Sequence, residues 1–137
     1  MARTRPCTPD VRRGRLRKSG QFLDAASLIA DLANEEAEIA DVYVTLCVHA
    51  GIAASDVICC ARIGQSAHGK DHNEAVVLLS KADNGSAKHL RVLLGMKTKA
   101  GYSHRGATAE DAKRAGRAAE ALVETARRAH AGSVGPS

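Results

Sequence analysis

Between Asn84 and Ala109 the chain carries five basic side chains, Lys88, Arg91, Lys97, Lys99 and Arg105, and no acidic one. Tyr102 and His104 lie in the same stretch. Clustered cations neutralise phosphates, and an aromatic ring offers a face on which a base can stack. The pattern points to RNA or a nucleotide, gripped by Lys97, Lys99, Tyr102, His104 and Arg105. The competing reading is a basic face docked on acidic helices, within the chain or across a dimer. Asp56 is a second candidate, an acid inside the near-continuous apolar stretch Val42–Ala61. It reads either as half of a structural ion pair, with Arg62 or a base on the fourth helix, or as an acid poised by burial. His68 and His72 are metal-ligand types, but Gly69 and a helix start separate them. Only Asp71 offers a nearby third donor, so no metal is assigned. The chain contains no glycine-rich phosphate loop, and no cofactor is expected.

These groups must be held by helices. Hydrophobic residues make up 45% of the chain but aromatics only 2%, so the core is built from Ala, Leu, Val and Ile. Strand formers are not grouped in alternating runs. A first helix is expected from Ser19 or Gly20 to Ala33, with Phe22, Ala26, Ile29 and Leu32 inward. Asn34 is positioned to cap a second, from Glu35 to Ile63, with acids in its first turn. There Ile39, Val42, Leu46, Ala50, Ala53, Val57 and Cys60 form one stripe, and Val44, Val48, Ile52 and Ile58 fill the other faces. A helix apolar all round is buried all round. Its patch Ala50-Gly51-Ile52-Ala53-Ala54-Ser55 permits close helix approach, and a homodimer is expected through it.

After a loop at 64–70, Asp71 caps a third helix to Ala82, and Asn84-Gly85 makes a turn. Ser86 caps a fourth, to about Tyr102. Thr108 and Asp111 have capping-box spacing and open a fifth, Ala109–His130, with exposed pairs Glu110–Arg114 and Glu124–Arg128. Residues 132–137 read as a tail. No strand is expected. The fold class is all-α, a four- to five-helix up-and-down bundle spanning 19–131.

Charge divides the chain. Residues 1–18 are net +6, residues 19–61 net −7 with no Lys or Arg, and residues 62–137 net +6. Pro6 and Pro9 with no apolar period make 1–18 a flexible basic arm. No apolar segment of a secretory signal follows it, so the expected location is cytoplasmic, off the membrane. Cys7, Cys47, Cys59 and Cys60 form no C-x-x-C pair and read as small buried hydrophobes in a reducing compartment.

A sequence of features is shared with a known superfamily. Tyr43 begins the apolar helix, which ends in Cys60-Ala61-Arg62 before a glycine-containing loop and His72. Leu93-Leu94-x-x-Lys97-x-x-Ala100-Gly101-Tyr102 follows, then Thr108-x-Glu110-Asp111-Ala112 and x-x-Ala121-Leu122-Val123. This order resembles the HEPN superfamily of small helical bundles. The resemblance implies a dimer, RNA or nucleotide binding, and in some members metal-independent ribonuclease activity with an antitoxin-like protein partner. Ribonuclease members carry Arg, four to six residues, then His, a spacing met here by Arg62 and His68. The resemblance thus assigns Arg62 to the scissile phosphate and His68 to acid–base catalysis. Such members usually place the pair late in the chain; Lys99 and His104 have the spacing there, with Lys in place of Arg. The alternative is a non-catalytic dimeric interaction or scaffold module.

Overall fold

The structure, a computed structural model, describes residues 3–69 and 71–134. Its elements are β1 (Thr4–Pro6), α1 (Pro9–Leu32), α2 (Glu36–Ile63), β2 (Gln65–Ala67), α3 (His72–Ala82), a single 3-10 turn (Asn84–Ser86), α4 (Ala87–Gly101) and α5 (Ala109–Val134). The all-α bundle is therefore correct, with a two-stranded ribbon added at one end.

The basic segment is not a flexible arm. Thr8 caps α1, accepting the Val11 N–H at 3.2 Å. Pro9 occupies the first helical turn, where a missing N–H leaves no bond unmade, and Asp10 suits the positive end of the helix dipole. Long-range pairs then fix the helix to the bundle. Arg15 Nε donates to Asp56 Oδ2 at 2.9 Å, and Arg12 Nε donates to His130 Nδ1 at 3.1 Å. Sequence reasoning missed this because α1's first half has no apolar period: polar side chains hold it.

α2 is the central rod and packs against all four other helices. It is long and apolar enough to cross a membrane by composition, but 67% of its most apolar window is buried inside the bundle. Val44, Cys47, Val48, Val57 and Ile58 are fully enclosed. Val42 and Leu32, both expected inward, are instead 52% and 75% exposed. Both lie near the α1–α2 connection. Asn34 does not cap α2; Glu35 occupies that position without a side-chain bond.

The small-residue patch serves close helix packing within the chain. A Cβ at Gly51 would run into Leu93 and lie 3.2 Å from Leu122 Cδ1, so α4 and α5 close directly on α2 there. Ala50, Ala53 and Ala54 beside Gly51 are fully enclosed within the chain. Gly116 plays the same part beneath the Tyr43 hydroxyl.

At the other end, the Thr108–Asp111 capping box forms. Thr108 N–H donates to Asp111 Oδ2 and Asp111 N–H to Thr108 Oγ1, each at 3.0 Å. Asp41 on α2 accepts the Ala107 N–H at 2.6 Å and holds this loop. Ser86 makes no cap bond to α4; its hydroxyl donates to Asp83 instead. Glu124 and Arg128 approach to 3.8 Å, whereas Glu110 and Arg114 form no ion pair among the described residues. α5 continues through residues 132–134, read from sequence as tail; residues 135–137 lie outside the described residues.

Candidate functional site

The cleft is built where α2 ends. Gly64 takes the left-handed conformation, φ 68°, that stops the helix and turns the chain back. β2 follows and pairs antiparallel with β1, in register Thr4–Ala67, Arg5–Ser66 and Pro6–Gln65. Cys7 N–H donates to Gly64 O at 3.2 Å, and His68 N–H to Arg3 O at 2.8 Å. A ribbon of three-residue strands is marginal by itself. A disulfide between Cys7 and Cys60, Cα atoms 5.4 Å apart, ties it to α2. These two cysteines are thus not the unpaired hydrophobes expected from sequence; Cys47 and Cys59 are. A strand was not expected because each has only three residues, too few to show alternation.

Asp71 then starts α3, accepting the Asn73 and Glu74 N–H groups at 2.9 and 3.2 Å. Ribbon, α2, α3 and α4 together enclose a cleft of about 340 Å³. Arg5 enters from β1, His49 and Asp56 from α2, His68 and His72 from the loop and α3, and Lys97 from α4. Ile52, Ala75, Leu90 and Leu94 supply its apolar wall. The His49 ring stacks on Phe22, centroids 5.3 Å apart.

Asp56 is one of two acids on this cleft, and its partner is Arg15, not Arg62 or a base on α4. Burial pushes its carboxyl above the usual range, while Arg15 and then Arg5 pull it back. Asp71 is engaged by the α3 N-terminus. Both carboxylates of the cleft are therefore occupied, leaving Arg5, Lys97 and three imidazoles to face a ligand. Such a site suits a phosphorylated ligand with an apolar or aromatic portion. No group of three or more metal-ligating side chains has metal-binding geometry among the described residues.

The other residues singled out from sequence disperse. Arg62 does not line the cleft; its guanidinium binds Asp83 at 3.2 Å. The structure therefore does not bring Arg62 and His68 to one cavity. Lys99 points the opposite way from Lys97, binding Asp111 Oδ2 at 2.9 Å on the α4–α5 side. Residues two apart on a helix are turned about 200° from each other, which separates them. Tyr102 is 80% exposed, and His104 and Arg105 lie exposed beyond it, Arg105 N–H donating to Ser103 Oγ at 3.1 Å. Arg5, Arg15 and His49 were missed. The first two lay in the supposed arm, and His49 is an isolated polar residue on an apolar helix. The Arg3-to-Lys18 density of arginine was the available signal.

Cys47 and Cys59 belong to the core, not the chemistry. Burial pushes both thiols up to about 12, so thiolate is scarce. No protein-family profile matches this chain, and no curated protein matches it significantly.

Proposed function

We propose that the protein is an RNA- or nucleotide-binding module, in keeping with the HEPN resemblance of its sequence. The observation carrying this reading is the cleft itself: Arg5, Lys97, His49, His68 and His72 on one cavity, with both carboxylates already engaged. Arg5 would grip phosphate through a planar fork and Lys97 as a point charge. The apolar wall offers a surface for base or sugar. Binding is tested by anisotropy of a labelled oligoribonucleotide over a salt series. Affinity should fall steeply with salt and drop on Lys97→Ala or Arg5→Ala. Salt-independent binding, or none, would reject this reading in favour of a scaffold.

A second reading follows from three imidazoles on one cleft, namely RNA cleavage. One imidazole takes the proton of a ribose 2′-hydroxyl as that oxygen attacks phosphorus. A second gives a proton to the departing 5′-oxygen, while Lys97 and Arg5 offset the phosphate charge. His68 and His72 fill these roles, and Arg62 stays with Asp83 as a structural residue. In a cleavage assay, His68→Ala and His72→Ala should each abolish turnover while Arg62→Ala retains it. Intact RNA after prolonged incubation with the wild type would leave binding alone. A homodimer and an antitoxin-like partner remain part of the family-based proposal, tested by mass in solution and by co-purification.

A further inference from the structure

We infer that the cleft is one end of a longer cationic path over α4, and that the path holds a single strand of RNA by several consecutive phosphates. This rests on reading the cleft as a phosphate site. It adds a second binding segment, on the opposite flank of the helix.

The segment is a groove of about 560 Å³ between α4 and α5. Lys88, Arg91, Lys99 and Arg114 stand around it, over a floor that includes Val92 and Met96. Asp111 is its one acid, and Lys99 binds that carboxylate. Lys88, Arg91 and Arg114 form no ion pair among the described residues. Three cations therefore stand without protein counter-charge on one groove.

Cleft and groove are joined. A shallow depression of about 250 Å³ shares His72 and Leu94 with the cleft and shares Arg91 and Gly95 with the groove. Helical geometry gives the same order: at about 100° per residue, Lys97 and Leu94 lie on one flank, Arg91 and Gly95 on the crest, Lys88 and Lys99 on the far flank. Gly95 forms the saddle. Glycine inside a helix is less favourable than alanine. No packing demands it here, because an added Cβ would meet nothing within 4 Å. Its absence of side chain leaves the crest low where the two cavities meet. A narrow path of cations crossing a saddle matches a phosphodiester strand. An acidic protein face, including a second copy's acidic α1–α2 tip, would need breadth instead.

The test compares fluorescein-labelled oligouridylates, a trinucleotide and a dodecamer, by anisotropy on the full chain. The dodecamer offers about ten overlapping trinucleotide registers, worth about tenfold by counting alone, and should bind about a hundredfold more tightly, an advantage of about tenfold beyond counting. Arg91→Gln with Arg114→Gln should remove that advantage and lower the log–log salt slope by roughly 1.4, while trinucleotide affinity stays. Gly95→Glu should do the same without lowering the melting temperature, since glutamate is the better helix former. A dodecamer advantage no larger than that statistical factor would overturn the path and leave the cleft reading intact. Binding of neither would overturn both. Variants that change the mass in solution and leave dodecamer affinity untouched would assign the groove to a protein contact and overturn the proposal.

Discussion

Two basic segments flank the acidic helices in the sequence, and they meet opposite fates. The first, ending at Lys18, is docked: Arg15 reaches the half-buried Asp56, Arg12 reaches His130, and Cys7 is bonded to Cys60. The second, on α4, keeps most of its charge open to solvent, with Lys99 alone engaged among the described residues. Like charge thus does not mean like use. What differs is whether a carboxylate is buried within reach. Desolvation makes Asp56 demand a partner, whereas the acid on the groove of Lys88 and Arg91, Asp111, is taken by Lys99.

The comparison breaks most readily at the disulfide. Cys7→Ser opens a link between residues 53 apart in sequence, which in the chain-entropy account costs about 4 kcal/mol. Urea unfolding should report that loss, and Arg5 should leave the cleft with the ribbon, weakening RNA binding at constant salt. Unchanged stability would mean the docked segment is held by α1 alone.

Next in size is Arg15→Ala, which strands Asp56 among apolar neighbours. The pair is part-exposed, so the expected cost is about 2 kcal/mol, below that of a fully buried pair. Asp56→Asn added to Arg15→Ala should recover much of it in a double-mutant cycle. A strictly additive cycle would show that the two side chains do not interact.

Smaller again is Asp111→Ala, which removes a reciprocal cap and the partner of Lys99, about 1 kcal/mol by thermal unfolding. Here pH supplies a further check. Asp111 lies below the usual carboxylate range, through the Thr108 N–H first and Lys99 next. A depressed carboxylate stabilises the fold above its unfolded value, near 3.8, and the benefit disappears as pH falls through the folded value. The gap between wild type and variant should therefore close in acid. His130 has the same sign at a higher pH. Burial first, then Arg12 and Arg13, lower its value from 6.5, so its neutral form is favoured and acidification opposes docking of α1.

Smallest is the effect of Lys88→Ala or Arg91→Ala on stability, expected within about 0.5 kcal/mol because neither side chain is engaged. Both should still weaken RNA binding. A large loss of stability from either would erase the contrast between the docked and the open segment.

Where a physical signal was local, the residues were readable. Acid, hydroxyl and spacing placed the Thr108–Asp111 box and the Asp71 cap, because such bonds join neighbours in the chain. The apolar circumference of α2 predicted its central burial. Arg5, Arg15 and His49 were not legible as site residues, since nothing near them in sequence announces Asp56 or Lys97. Proline at position 9 reads as a breaker in the sequence but opens the helix, a choice that turns on which side of the cap it falls.

By itself, then, the sequence determined the helical class, the Asp71 and Thr108–Asp111 caps, the aliphatic core and the segregation of charge, all properties of residues within a few positions of each other. Tertiary structure alone decided that Arg5 and Lys97 share a cavity, that Arg62 turns to Asp83 instead, and that Lys97 and Lys99 face opposite flanks. The reason is one of range. Periodicity and capping act over a turn or two of backbone, whereas a cleft is composed by groups tens of residues apart, brought together only when the core closes.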